Sequence, residues 1–253
     1  MNVYAKRSLG QHFLRDGNMI AKIIRAVAPQ EGERILEIGP GPGALTFPLI
    51  RSGARITVLE LDRRFASRWK EEEERHPHLR CVEGDALTAD WQPYLPCDKL
   101  VSNIPYNISR PLIHRIFAYR NTIGAAYLTV QKEFADKLLA APGDRTYGII
   151  SVLSALLCRP EFLFHVPPEV FTPPPRVNSA FLKLRFIRPE TDEQRLTDIV
   201  GRAFAQRRKR LRNSLQELYR TSGSKDFPWN ERADTLPPEA YLRLLSAGPS
   251  AGN

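Results

Sequence analysis

The chain has 253 residues, 42% of them hydrophobic and 26% charged, enough for one full α/β domain and a smaller appendage. Cys81, Cys97 and Cys158 are scattered and form no paired motif, no apolar run approaches the roughly 20 residues of a membrane span, and residues 1–14 lack the apolar stretch of a secretory signal. A cytoplasmic protein without structural zinc or disulfides is expected, and a formal charge of +9 predicts a polyanionic partner.

Asn18 to Ala28 reads as a helix, with Ile20, Ile23, Ile24 and Val27 on one face and Pro29 ending it. Arg34 to Ile38 is a short strand that runs directly into Gly39-Pro-Gly-Pro-Gly43, and Ala44 to Arg51 is the next helix, stopped by Gly53. Arg55 to Glu60 is a second strand, Asp62 caps a charged helix from Arg63 to Glu74, and Leu79 to Glu83 is a third strand closing on Gly84-Asp85. Lys99 to Ser102 is a fourth, leading into Asn103-Ile-Pro-Tyr106, with Pro111 opening a helix that reaches about Tyr119. Ala125 to Val130 reads as a buried strand, Lys132 to Ala140 as a helix broken by Pro142-Gly143, and Tyr147 to Cys158 as a buried helix. Glu161 to Val166 and Ala180 to Phe186 predict two strands joined by a proline-rich loop, Pro167 to Pro175. Beyond about Pro189 only helical patterns remain. This order predicts a mainly parallel, doubly wound α/β sheet with one antiparallel edge strand in residues 1–188, and a small helical domain in 189–253.

Three strand ends carry candidate ligand-binding residues. Gly39, Gly41 and Gly43 follow the first strand in a GxGxG spacing, which lets the main chain approach a nucleotide. Glu60 ends the second strand, where a carboxylate can accept both hydroxyls of a ribose. Asp85 ends the third, placed to accept from an adenine amino group. A tight turn would also use the glycines, and an acid at a strand end is often a helix cap. The three together describe a nucleoside pocket. No Lys follows the glycines, so phosphate is not cradled, and S-adenosylmethionine is the common adenosine cofactor without phosphate.

Asn103-Ile-Pro-Tyr106 carries the expected chemistry. The lone pair of an adenine amino nitrogen is delocalised into the ring, and two acceptors on its hydrogens would draw it toward a tetrahedral, nucleophilic form. The Asn103 side-chain carbonyl and the main-chain carbonyl of Ile104 or Pro105 are candidates, with Tyr106 stacking on an unstacked base. No general base of shifted pKa is required, because the nitrogen loses its proton after methyl transfer. Phe171, between the prolines of the later loop, is a candidate for the opposite wall, a buried core Phe being the alternative.

Taken together, Leu9-Gly-Gln-His-Phe-Leu14, Glu37-Ile-Gly-Pro-Gly-Pro-Gly43, Glu60-Leu-Asp62, Gly84-Asp-Ala86, Asn103-Ile-Pro-Tyr-Asn-Ile-Ser109, the Val166 to Pro175 segment and Gln206-Arg-Arg-Lys-Arg-Leu-Arg-Asn-Ser-Leu215 resemble the KsgA (RsmA) ribosomal RNA adenine dimethyltransferases. The related Erm resistance methyltransferases share the cofactor and Asn-x-Pro-Tyr motifs, while the triple-proline and Arg-Arg-Lys segments are more similar to KsgA. The resemblance covers nearly the whole chain, to about Leu245. It implies a Rossmann-like class I methyltransferase fold and dimethylation of two adjacent adenines in the 3′-terminal hairpin of small-subunit rRNA, late in subunit assembly. It also implies that His12 and Leu14 help cover the cofactor, with Gly39, Glu60, Asp85 and Asn103 as binding positions. Where the family often has Asn, this chain has His12, and its usual Asn-Leu-Pro-Tyr reads Asn-Ile-Pro-Tyr.

The stretch from Lys183 to Arg220 holds eleven Lys or Arg against five acids, an excess of six. Arg202, Arg207, Arg208, Lys209, Arg210 and Arg212 are the expected phosphate contacts, with Lys6, Arg7 and Arg15 extending the basic surface. A monomer is expected. The rivals are an Erm-type enzyme acting on large-subunit rRNA, a non-catalytic assembly or transcription factor, and an adenine-DNA methyltransferase.

Overall fold

A computed structural model describes residues 6, 9–187, 192–221 and 226–246. It divides into two compact units: residues 1–135 with 161–186, and residues 136–160 with 187–253. The expected cut between 188 and 189 lies outside the described residues, and residues 136–160, expected in the first domain, group with the second unit. No described helix is long and apolar enough to cross a membrane.

In chain order the elements are β1 (Phe13–Leu14), α1 (Gly17–Val27), β2 (Arg34–Ile38), α2 (Thr46–Arg51), β3 (Arg55–Glu60), α3 (Arg63–Arg75), β4 (Leu79–Glu83), β5 (Cys97–Asn103), α4 (Ser109–Ala118), β6 (Ile123–Gln131), α5 (Lys132–Leu139), α6 (Ile149–Leu157), β7 (Cys158–Val166), β8 (Phe171–Thr172), β9 (Ser179–Phe186), α7 (Glu193–Ala205), α8 (Leu211–Ser214), α9 (Gln216–Thr221) and α10 (Pro238–Ser246). The main sheet has seven strands in the order β4-β3-β2-β5-β6-β9-β7. Strands β4, β3, β2, β5 and β6 are parallel neighbours, whereas β9 runs antiparallel to β6 from Ala125↔Arg185 to Gln131↔Ser179. The antiparallel strand therefore sits one place inside the edge, which β7 occupies.

The order reverses at β2, flanked by β3 on one side and β5 on the other. Connections leave such a switch point in opposite directions and open a crevice at the carboxyl ends of the strands. The central strands are apolar without alternation, with Ile35, Leu36, Val58, Leu59, Leu100 and Val101 buried, as expected for a sheet covered on both faces.

Local chemistry sets the element ends. Asp16 accepts from the Met19 N–H at 2.7 Å to start α1, and Ala28, at φ 46°, closes it one residue earlier than the periodicity suggests. Helix α2 starts two residues later than expected because Gly43, at φ 96°, keeps the glycine segment in a turn. Helix α4 starts at Ser109 rather than Pro111, which fits because the first-turn N–H groups have no partner in the helix. The two-residue strands β1 and β8 pair antiparallel, Phe13 with Thr172 and Leu14 with Phe171, with no pattern long enough to announce them.

The second unit is helical. Helix α6 is apolar on nearly every side and packs against α7 and α10, which is why it leaves the sheet domain. Tyr147 and Tyr241 are buried, yet both phenols are satisfied, donating to the Leu236 and Ala233 carbonyls at 2.9 and 3.0 Å.

In the first unit, a Cβ on Gly43 would lie 2.6 Å from the Trp69 ring, in addition to the strain of its positive φ. Gly43→Ala should lower stability by about 1–3 kcal/mol. Thermal unfolding beside Gly32→Ala, where φ is 77° but the space is open, separates the clash from the backbone term.

Candidate active site

The glycine turn after β2 is built around main-chain contacts that side chains would block. Gly39 and Gly41 both have positive φ, the Gly39 N–H reaches the Leu59 carbonyl, and the Trp69 indole donates to the Gly41 carbonyl at 2.9 Å. Opposite the turn, the buried Glu60 carboxylate accepts from the Gly41 N–H at 2.9 Å with one oxygen and from the Asp62 N–H at 2.8 Å with the other. Burial pushes its carboxyl above the ordinary range, and the two main-chain donors oppose that shift. Each oxygen still has a lone pair for a ribose hydroxyl.

Two cavities meet at Glu60, sharing Gln11, Gly39 and Pro105 as well. One is lined by Leu61, Asp85, Ala86, Leu87 and Ile108. Asp85 accepts the Leu87 N–H at 2.8 Å with one oxygen, and the other has no hydrogen-bond partner among the described residues. Leu61, a large apolar side chain, is 49% exposed and lines this cavity. Nothing in the sequence marks Leu61, a single apolar residue between Glu60 and Asp62.

The other cavity runs past Glu37, Pro40, Gly41, His12 and Leu14 to Asn103 and Tyr106. Glu37, quoted only as part of the glycine motif, is a further residue missed. It is fully buried, its Oε2 has no hydrogen-bond partner among the described residues, and burial raises its pKa to about 8. The Thr46 hydroxyl lowers it and the Glu60 charge raises it further. A buried orphan acceptor beside a second carboxylate suits a cationic ligand, as the ammonium and sulfonium of S-adenosylmethionine would be. The residues present fit that cofactor end to end.

Asn103 ends β5 next to this cavity. Its amide nitrogen donates to the His12 carbonyl at 3.0 Å, which commits the NH2 group and leaves the side-chain oxygen as the free acceptor. The Pro105 carbonyl takes the Ile108 N–H at 3.1 Å, whereas the Ile104 carbonyl has no such partner among the described residues. The Ile104 carbonyl is therefore the less engaged of the two candidate acceptors. Tyr106 shares a 2.6 Å hydrogen bond with the Ser179 hydroxyl, burial pushes its phenol up, and the His12 ring stacks on it at 5.3 Å between centroids. His12 Nδ1 in turn donates to the Pro173 carbonyl at 2.7 Å. An outer cavity of about 480 Å³, lined by His12, Tyr106, Gln131, Arg176 and the three prolines 173–175, continues from there.

Phe171 corrects the expectation. It is 3% exposed, pairs with Leu14 in β8 and belongs to the core around Phe13 and Phe181, lining none of the three cavities. Its ring anchors the loop and is not a wall of the site.

The segment over the site is tied by Asp62. Gln11 donates to Asp62 at 3.2 Å and accepts from the Lys6 N–H, while the Lys6 ammonium and the Arg64 guanidinium both pair with Asp62. Arg64 above all, with Gln11 and Lys6, holds the Asp62 carboxyl well below the usual range. Lys6 is therefore engaged, Arg15 is exposed, and Arg7 lies outside the described residues.

In the second unit, two of the expected phosphate contacts carry ion pairs within the unit. Arg207 pairs with Asp234 and donates to the Arg145 and Asp144 carbonyls, and Arg202 pairs with Asp198 and Glu217. Arg208, Lys209, Arg210 and Arg212 are exposed and free of ion pairs among the described residues.

The family described as ribosomal RNA adenine dimethylase matches residues 2–245. The chain is 39% identical over 264 residues to a ribosomal RNA small subunit methyltransferase A of Bordetella petrii, covering 98% of this chain and 97% of that one. It is 40% identical over 250 residues to the protein of the same name from Xanthomonas axonopodis pv. citri, covering 96% and 95%. Among solved structures it is similar to a dimethyladenosine transferase from Plasmodium falciparum, with a TM-score of 0.80, 27% identity, and 93% and 96% of the two chains covered. It is also similar to the 23S rRNA methyltransferase ErmE, with a TM-score of 0.68, 29% identity, and coverage of 93% and 98%.

Glu37 gives the site a pH signature. The folded chain keeps this proton up to about pH 8, while the unfolded chain releases it near 4.5, so folding stability falls as pH rises through that window. Melting temperatures from pH 5 to 8 should decline more in the wild type than in Glu37→Gln, and parallel curves would remove the assignment.

Proposed function

Because the chain belongs to the ribosomal RNA adenine dimethylase family and carries its class I methyltransferase fold, we propose that it uses S-adenosylmethionine to dimethylate N6 of two adjacent adenines in the 3′-terminal hairpin of small-subunit (16S) rRNA, during subunit biogenesis in the cytoplasm. The observation that carries this reading is the Asn103 amide bonded to His12, which turns the side-chain oxygen into an acceptor beside a second free carbonyl.

The cofactor supplies an electrophilic methyl group on a sulfonium. Glu60 takes the ribose hydroxyls, Asp85 the adenine amino group, and Glu37 faces the cationic end. The target base enters from the outer cavity and stacks on Tyr106, whose hydroxyl is fixed by Ser179. Asn103 Oδ1 and the Ile104 carbonyl accept the two amino hydrogens and free the nitrogen lone pair for in-line attack. After transfer the nitrogen is cationic and loses a proton to solvent, and a second round needs only one remaining hydrogen for one acceptor. Positioning and fixed dipoles provide the rate effect. The first unit is the catalytic body and the second a helical RNA-binding body, in which Arg208, Lys209, Arg210 and Arg212 meet phosphates. The enzyme works as a monomer on assembling small subunits.

Likeness to ErmE raises large-subunit rRNA as the second reading. Near full-length identity of 39–40% to proteins named for the small subunit favours the first. Mass spectrometry of rRNA fragments after incubation with labelled cofactor decides: methyl groups on naked large-subunit RNA, and none on small subunits, reverse the assignment.

Asn103→Ala should reduce kcat by at least about 10²-fold while calorimetry gives a cofactor Kd close to wild type. Glu60→Ala should instead weaken cofactor binding by about 10–100-fold. Lost cofactor binding with retained catalysis in Asn103→Ala overturns its role. Replacing Arg208, Lys209, Arg210 and Arg212 with Ala should reduce the salt dependence of RNA binding, and Arg207→Ala should chiefly lower the melting temperature.

A further inference from the structure

At the amino-terminal end of the sheet, opposite the edge that holds the candidate active site, lies a cavity of about 400 Å³ that the proposed reaction does not use. Arg34, Arg55 and Arg80 line it, together with His78 and Tyr94. Arg34 and Arg55 are the first residues of β2 and β3 and are register partners, so two guanidinium groups stem from directly paired positions on one side of the sheet. Like charges paired in this way oppose sheet formation.

None of the three arginines has an ion pair among the described residues, and all three are exposed. Of the acids nearby, Asp98 accepts the Arg34 main-chain N–H at 2.7 Å and pairs with no guanidinium among the described residues, Glu33 pairs with Lys99 at 2.7 Å, and Glu73 accepts the Cys81 N–H at 3.0 Å. The Arg80 guanidinium lies over the Tyr94 ring at 5.1 Å, which holds its plane and leaves its N–H edge for a forked contact with an anion. Three cations kept together against their mutual repulsion, one of them already oriented, form a receptor for phosphate oxygens.

We propose that this cavity is a second RNA contact, where Arg34, Arg55 and Arg80 hold backbone phosphates of the ribosomal RNA whose adenines react at the opposite end of the sheet. It rests on the reading of the chain as an rRNA methyltransferase. A five-residue strand spans only roughly 16 Å, a distance that a folded RNA bridges easily. The contact is independent of sequence and adds grip and orientation rather than base choice.

The test uses the full chain with Arg34, Arg55 and Arg80 replaced by Ala, titrated with protein-free small-subunit rRNA across a potassium chloride series. The slope of log affinity against log salt should fall by about 2, the RNA KM should rise about tenfold or more, and cofactor affinity and kcat at saturating RNA should stay unchanged. Arg55→Lys should keep the slope. An unchanged slope and KM in the triple variant overturn the proposal, as does an Arg55→Lys variant that fails like the triple one. A defect confined to assembled subunits, absent with naked RNA, overturns it in favour of a protein contact. Wild-type methylation of assembling small subunits, assayed alongside, is separate: should the wild type leave their adenines unmodified while the slope still falls, the phosphate site stands and the target assignment fails.

Discussion

The carboxylate of Glu60 accepts the main-chain N–H groups of Gly41 and Asp62, and the candidate site is organised around that pair of bonds. They tie the glycine turn after β2 to the end of β3, the two strands on one side of the crevice. The same carboxylate stands where the two cofactor cavities meet, so the group that shapes the turn is also the one placed to take a ribose. A buried charge without ligand is costly, and the two N–H donors keep that cost tolerable until hydroxyls add to them. Glu37 lacks such help and carries its proton instead. Burial pushes both carboxyls up, and the main-chain donors on Glu60 oppose that push.

A second set of contacts closes the site from residues far away in the chain. Asn103 reaches the His12 carbonyl, His12 reaches the Pro173 carbonyl, and β1 pairs with β8, so the opening segment, the loop after β5 and the proline segment form one cover. Asp62 adds the Gln11 and Lys6 bonds to it. The substitution of His12 for the family's frequent Asn leaves this geometry intact, because the contact to Asn103 comes from the main chain. Its imidazole adds what an amide would not, a flat ring against Tyr106.

Charge in this protein divides by what surrounds it rather than by where it falls in the sequence. Arg207 and Arg202 lie in the same basic run as Arg208 and Lys209, yet the first two are satisfied by carboxylates and carbonyls of their own unit. Arg34, Arg55 and Arg80 are far apart along the chain and belong to no run, yet parallel pairing gathers them at one cavity. Counting cations along the sequence overstates the first group and overlooks the second.

From the sequence alone, the five parallel strands, the glycine turn, the carboxylates at the ends of β3 and β4 and the Asn-Ile-Pro-Tyr loop were legible. Each of these depends on local chemistry: apolar runs, turn residues and the abrupt end of a strand. Tertiary structure alone decided that Phe171 is core, that the Ile104 carbonyl has no partner among the described residues, that Glu37 and Leu61 face the cavities, and that residues 136–160 pack with the helical unit. Those outcomes depend on which distant groups meet a side chain, and neither periodicity nor spacing encodes that meeting. A Phe between prolines reads alike whether a strand or a base covers it, and only the pairing of Leu14 with Phe171 chooses between them.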